Sequence, residues 1–304
     1  MTHYQLVVNN KRRSFVIILG FFVFISLVLL LVKSVFGLSL GFLGLLFILV
    51  GIGSLISYWY SADIILATTK ARPAKREEFF DFYTVTENLA SSQNLPIPRI
   101  YVIDDPNHAN AFATGRNPKN AVIVATTGLL QRLNRSELEG VVAHELSHVK
   151  NYDILLASLV TIFVGFLILL VDVIRNNFFL SASDDNDDNT GLQFFVSLIL
   201  ILVVPISAKL IQLAISRKRE LLADASAVAM TKNPRGLINA LKKIATNPKP
   251  LKTASGATAH LFIEDPLAVK QFNNTKVKKS KIASWFNTHP PVETRIAALE
   301  RLLS

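Results

Sequence analysis

Four apolar runs, at residues 14–32, 35–58, 154–174 and 194–215, govern how this chain can fold. Each comes close to the roughly 20 residues that a helix needs to cross the hydrocarbon core of a bilayer. Backbone polar groups in lipid must be satisfied within their own segment, so each run is expected to be helical. Only Lys33 and Ser34 separate the first two, which predicts a hairpin. The first run is too long for the apolar core of a cleavable leader, and no small-residue cleavage pattern follows it. With 51% hydrophobic residues and a mean hydropathy of +0.39 over 304 residues, the composition suits a chain partly housed in lipid.

The formal net charge of +10 is sorted by these runs. Of 32 basic residues, 3 precede the first run, 10 lie between the second and third, and 16 follow Ser216. The loop over residues 175–193 has one basic residue, Arg175, and four aspartates. Basic loops stay inside, so both termini and residues 59–153 are expected on the cytoplasmic face of the cell membrane, with the acidic loop outside. The basic excess is thus topological. The lipid bilayer is an expected partner, and nucleic acid, for which no motif accompanies the charge, is not. The absence of cysteine excludes disulfides and thiolate chemistry, leaving His, Asp and Glu as metal ligands.

After Trp59 the composition turns soluble. KARPAKREEFFDFYTVTENLASSQNL reads as a charged linker, then an amphipathic helix with Phe80, Tyr83 and Leu89 on its inner side. PRIYVID, AFATG and AVIVATTGLL are β-branched and aromatic runs cut by Asp, Asn, Pro and Gly, the pattern of strands in a small sheet. Helix is expected to return at Ser136, with Glu139 completing a capping box. Beyond the fourth run, SRKRELLADASAVAM and NPRGLINALKKIA predict two helices, the second started by Asn233 and Pro234. Residues 247–281 are irregular and lysine-rich, and THPPVETRIAALERLL closes on an amphipathic helix. The expected fold is mainly α, four transmembrane helices with a cytoplasmic α+β domain. It divides into a hairpin over 1–58, a soluble segment over 59–153, a second hairpin over 154–215 and a C-terminal part over 216–304.

The stretch VVAHELSHVKNYD, residues 141–153, carries the chemistry. Residues four apart on a helix lie about 40° from each other around its axis, so His144 and His148 share a face and can hold one ion. Glu145 is about 100° round from His144, too far to join as a ligand but placed for a general base beside a water. A catalytic site needs a third protein ligand and one open position. In SRKRELLADA, Glu220 and Asp224 are again one turn apart, and the hairpin of the third and fourth runs returns them to the side that Asp153 left. Glu220 is the expected third ligand, and Asp224 the carboxylate that accepts the N–H of a ligand imidazole. The plain alternative for Glu220 is a surface ion pair with Arg217.

In these residues the chain resembles the HtpX family of integral-membrane zinc metallopeptidases, distantly related to the CAAX prenyl proteases. The resemblance runs through NAFATG, VVAHELSHVKNYD, SRKRELLADA and THPPVETRI in order, with a hairpin before and between. It implies a zincin-like domain holding one zinc ion per chain through His144, His148 and Glu220, with Glu145 as base. It further implies cleavage of misfolded or damaged membrane proteins, or unfolded polypeptides, in a stress response, and leaves room for regulatory membrane-protease partners. By the same resemblance ANAFATG becomes an edge strand, with Asn110 and Ala111 as substrate-pairing positions. His289 would donate to the carbonyl oxygen, supported by Arg295; the plain reading of His289 is a helix-start residue held by prolines. His3, His108 and His260 have no partner pattern, the acidic loop reads as solvated, and Lys209 is expected to snorkel.

Rival readings are a CAAX-type prenyl protease, an intramembrane protease, and a non-catalytic membrane scaffold or transporter subunit. Four runs and a strand-bearing soluble segment disfavour the first. The charged residues around the motif, Glu137, Glu139, Lys150 and Asp153, disfavour a metal site within the bilayer. Metal content separates an enzyme from a scaffold.

Overall fold

The computed structural model describes residues 3–36, 39–181, 217–246, 250–264 and 290–303, with Ile206, Leu210 and Pro266. Two apolar helices come first, α1 (His3–Phe36) and α2 (Leu40–Trp59). Helix α1 runs straight through Lys33 and Ser34, where a turn was expected. Neither residue breaks a helix, and the first glycine after them is Gly37. A short helix α3 (Ser61–Thr69) ends at Lys70, whose φ of 55° places it in the left-handed region that closes helices.

The sheet is small and mixed. Strand β1 (Arg72–Pro73) pairs antiparallel with β2 (Arg99–Ile103), which runs parallel to β4 (Val122–Thr126). β3 (Ala111–Thr114) lies antiparallel on the far side of β4, giving the order β1-β2-β4-β3 with β3 at one edge. Along β4 the side chains alternate as a pleat requires: Ile123 and Ala125 enter one core, Val122 and Val124 another. The two-residue β1 is too short to show a period in sequence.

Helix α4 (Phe80–Ser92) buries Phe82, Val85, Thr86 and Ala90. Its inner stripe is therefore rotated from the expected one: Phe80 is 58% exposed, while Tyr83 and Leu89 only flank the core. The aromatic-rich run FFDFY, broken only by Asp81, offers more than one face, and packing against α6 (Arg135–Lys150) selects among them.

After α5 (Thr127–Arg132) comes α6 (Arg135–Lys150), the helix of the HELSH motif. Its capping box is built by Asn134 and Glu137, not by Ser136 and Glu139. The Asn134 side chain accepts from the Glu137 N–H at 3.0 Å, and Glu137 accepts from the Asn134 N–H at 2.9 Å. Both spacings fit the pattern. The earlier one prevails with Glu137 buried against Lys243 at 2.7 Å, whereas the Ser136 hydroxyl accepts from Asn233.

Helix α7 (Asp153–Ser181) leaves α6 at an 83° bend through Asn151 and Tyr152, and Tyr152 sits at φ 60°. α8 (Arg217–Thr231) and α9 (Pro234–Ile244) pack on α6, and α10 (Val292–Glu300) packs in turn on α8 and α9. The α6–α9 crossing is so close that a Cβ on Gly140 would stand 2.8 Å from the Leu237 backbone. One core thus joins the sheet to α4, α6, α9 and α10, and a second joins α1 to α7, with Phe21 stacked on Phe163 at 4.0 Å.

The described architecture is mostly helical; β2, β3 and β4 lie within the runs read as strands, whereas β1 falls in the expected linker and the end of AVIVATTGLL turns into α5. Among the described residues no single helix is long and apolar enough to cross a membrane; the bent pair α6 with residues 153–168 of α7 passes that test together. Residues 182–205 of the acidic loop and fourth run, and Lys209, lie outside the described residues.

Candidate metal centre

α6 presents His144 and His148 from one face, their Nε2 atoms 3.2 Å apart. α8 brings Glu220 to the same point: one carboxylate oxygen lies 3.8 Å from His144 Nε2, the other 3.6 Å from His148 Nε2. Three donors on a tetrahedral ion with bonds near 2.1 Å stand about 3.4 Å apart. The two imidazole nitrogens stand close to that spacing and each has a Glu220 oxygen within 3.8 Å; with one atom taken from each residue, the three donors lie within 4.8 Å of one another, which makes these residues one candidate metal-holding group.

The remaining ring nitrogens explain why the Nε2 atoms converge. His144 Nδ1 lies 2.9 Å from Asp224, and His148 Nδ1 lies 3.0 Å from Asp153, which had no expected role. With each carboxylate accepting an Nδ1–H, an imidazole that gives up its other proton would keep an Nε2 lone pair for an ion. Asp153 is itself held from α1. The buried Asn10 amide donates to Asp153 at 2.7 Å and to the Asn151 carbonyl at 2.9 Å, and Arg219 approaches Asp153 to 3.8 Å. No local pattern could have shown this, since Asn10 and Asp153 are 143 residues apart.

Arg295 is completely buried and lies beneath the site. Its guanidinium grips Asp224 with two bonds of 2.9 and 2.6 Å and donates to the Ile263 carbonyl at 3.1 Å. Its 3.4 Å approach to His144 Nδ1 is a contact between two donors once that nitrogen carries its proton for Asp224. Arg295, expected in support of His289, is thus committed to Asp224. His289, its expected partner, lies outside the described residues.

Burial pushes the Glu145 carboxyl above its ordinary range; the two histidines oppose that shift, Glu220 adds to it and Arg295 opposes it. Burial alone would lower His148, but the Asp153 hydrogen bond and the nearby carboxylates overcome it and push the imidazole up to about 9. Burial would likewise raise Asp224, yet the Arg295 charge and hydrogen bonds hold it well below the usual carboxylate range.

The raised His148 value has a consequence for the metal-stripped protein. Protonated His148 stabilises that fold fully below the unfolded value of 6.5, and the contribution is lost as pH rises through about 9. A metal must displace that proton. Apparent affinity in a chelator competition is expected to climb about tenfold per pH unit towards that upper value and then flatten. A flat profile from neutral pH upward would contradict the proton-held state.

The cavity before the ligands is about 40 Å³ and is lined by Ala113, Glu145, Arg219, His260, Leu261 and Ile263 among others. The segment 259–264 also occupies the free edge of β3. The Ile263 N–H donates to the Ala111 carbonyl at 2.9 Å, and the Asn110 amide bonds the Glu264 backbone at 2.8 and 3.4 Å. Asn110 and Ala111 are therefore engaged by this chain's own backbone. His260, which sequence left unassigned, reaches Thr161 at 3.2 Å on the cavity wall.

Two imidazoles and a carboxylate around one point, with a further buried carboxylate beside them, define a metallohydrolase-type centre. The chain belongs to peptidase family M48, whose family model matches residues 78–303, and is of the HtpX type. It is similar to a "Protease HtpX homolog" of Dictyoglomus turgidum, 40% identical over 304 residues, covering 99% of this chain and 95% of that one. A "Protease HtpX homolog" of Caldanaerobacter subterraneus is 39% identical over 310 residues, covering 99% and 98%. One of Streptococcus thermophilus is 38% identical over 307 residues, covering 97% and 98%. The crystal structure of S. mikatae Ste24p matches at TM-score 0.49 and 19% identity, covering 98% of this chain and 67% of that one.

Proposed function

We propose that the protein is a zinc-dependent endopeptidase of the cytoplasmic membrane, acting on misfolded or damaged membrane proteins. The observation that carries this reading is the convergence of His144, His148 and Glu220, with buried Glu145 beside them, within an M48 chain. Zinc held there supplies a Lewis acid for the scissile carbonyl and for the attacking water. Glu145 takes the proton of that water and returns it to the leaving amine; its raised pKa suits both halves of the task. Asp224 and Asp153 keep the two imidazoles in register throughout. Support for a bilayer setting comes from α1, where Phe15, Leu19, Val23 and Leu27 form an exposed apolar stripe at helical spacing. Metal analysis of the purified full chain tests the centre: about one zinc per chain is expected, lost in His148→Ala, and no zinc in the parent would defeat the reading.

A substrate must also enter. A space of about 40 Å³ holds a water or two, not a polypeptide, and the Ala111 edge is already paired. Backbone addition at β3 therefore requires segment 259–264 to withdraw. A Cβ on Gly165 of α7 would stand 3.8 Å from the Ala257 Cβ, a disulfide span, in a chain without cysteines. The Gly165→Cys/Ala257→Cys protein is expected to lose at least about tenfold in polypeptide cleavage when oxidised and to regain it on reduction. Equal rates in the two states would show that the segment stays in place during turnover.

A further inference from the structure

A cleft of about 850 Å³ opens where the apolar helices meet the soluble domain, between α1, the end of α2, the start of α7 and loops at residues 94–96 and 116–119. Its walls are Phe15, Ile18 and Phe22 of α1 with Leu155, Leu159 and Phe163 of α7. Its rim is different. Lys11, Arg116 and Lys119 stand there, and among the described residues no carboxylate lines any part of it.

Two of the three cations sit over aromatic rings. Lys11 Nζ lies 4.6 Å above the Tyr152 ring, and Arg116 lies 4.1 Å above Trp59 while donating to its carbonyl. Lys119 is exposed to solvent. Trp59 and Tyr60, both exposed, end α2 at this level, the position aromatic side chains take at a headgroup layer. A polar metabolite would leave the accessible faces of Phe15, Ile18 and Phe22 wet, and a neutral lipid would leave the basic rim uncompensated.

We infer that this cleft binds an anionic phospholipid, the phosphate at the Lys11, Arg116 and Lys119 rim and an acyl chain along α1 and α7. The inference rests on the membrane reading above and adds to it one specific lipid seat. Tyr152 and Leu155 in the cleft flank Asp153, the partner of His148, so a lipid seated there contacts the turn that aligns a metal ligand.

Native mass spectrometry of the full chain released from detergent tests this, after incubation with phosphatidylglycerol or with phosphatidylcholine of the same acyl chains. Phosphatidylglycerol adducts are expected in excess. At roughly one kcal/mol per cation, Lys11→Gln/Lys119→Gln should reduce them about tenfold or more. Lys75→Gln/Lys242→Gln, on exposed lysines elsewhere, should not. Ile18→Trp, which fills the cleft and leaves its charges, should also reduce them. Equal adducts of the two lipids on the parent chain, or indifference to the Lys11 and Lys119 changes, overturns the inference. A chain that takes up neither lipid and stays in solution without detergent overturns the membrane reading and the seat together.

Discussion

Glu145→Gln should leave zinc bound and lower peptide-bond hydrolysis by at least about a hundredfold. Glutamine keeps the shape of a side chain that is almost wholly buried on α6, so the packing of the helix and the positions of His144 and His148 are preserved. What goes is the proton acceptor. Burial raises the Glu145 pKa, which brings a carboxylate closer to the pH at which it must both accept and release a proton; an amide does neither. Fragments from an unfolded membrane protein, read by mass spectrometry, separate the parent from the variant. A Glu145→Gln protein that cleaves at the parent rate, with equal zinc and contaminating proteases excluded, ends the role assigned to Glu145.

The parts of this centre that were legible in sequence are those set by helix arithmetic and chain topology. His144 and His148 share a face because they are one turn apart, and Glu220 and Asp224 repeat that spacing on a second helix. The structure brings all four together. What could not be read is what the tertiary fold supplies from a distance. Asp153 lies inside the quoted motif, yet its partnership with His148 depends on the bend at Tyr152, and its own support comes from Asn10 on the first helix. His260 and Ile263 reach the cavity from a stretch whose composition shows only a loop. Helix α4 teaches the same point on a smaller scale: FFDFY is aromatic on several sides, and its packing on α6, not its local sequence, decides that Phe82 goes in and Phe80 stays out.

Arg295 is where the largest loss of stability is expected. Its side chain is fully buried and paired twice with Asp224, whose carboxylate is almost fully buried as well. Arg295→Met removes one charge and strands the other, a change that costs about 3–5 kcal/mol in a buried pair. Arg295→Lys should recover little, because an ammonium cannot make the paired bonds of a guanidinium. The depressed pKa of Asp224 gives the same pair a pH signature. Its contribution is present above the unfolded value of 3.8 and lost as pH falls through the lower folded value, so the parent should resist acid better than Arg295→Met. Adding Asp224→Asn to Arg295→Met removes the stranded charge and should return much of the unfolding free energy. The double variant nonetheless lacks the carboxylate that orients His144, and its zinc affinity should stay about 10 to 100-fold low. Urea unfolding and chelator competition on the same four proteins separate the two effects. If Arg295→Met unfolds at the parent midpoint, the buried pair does not hold the centre together; if the double variant recovers full zinc affinity, Asp224 does not orient His144.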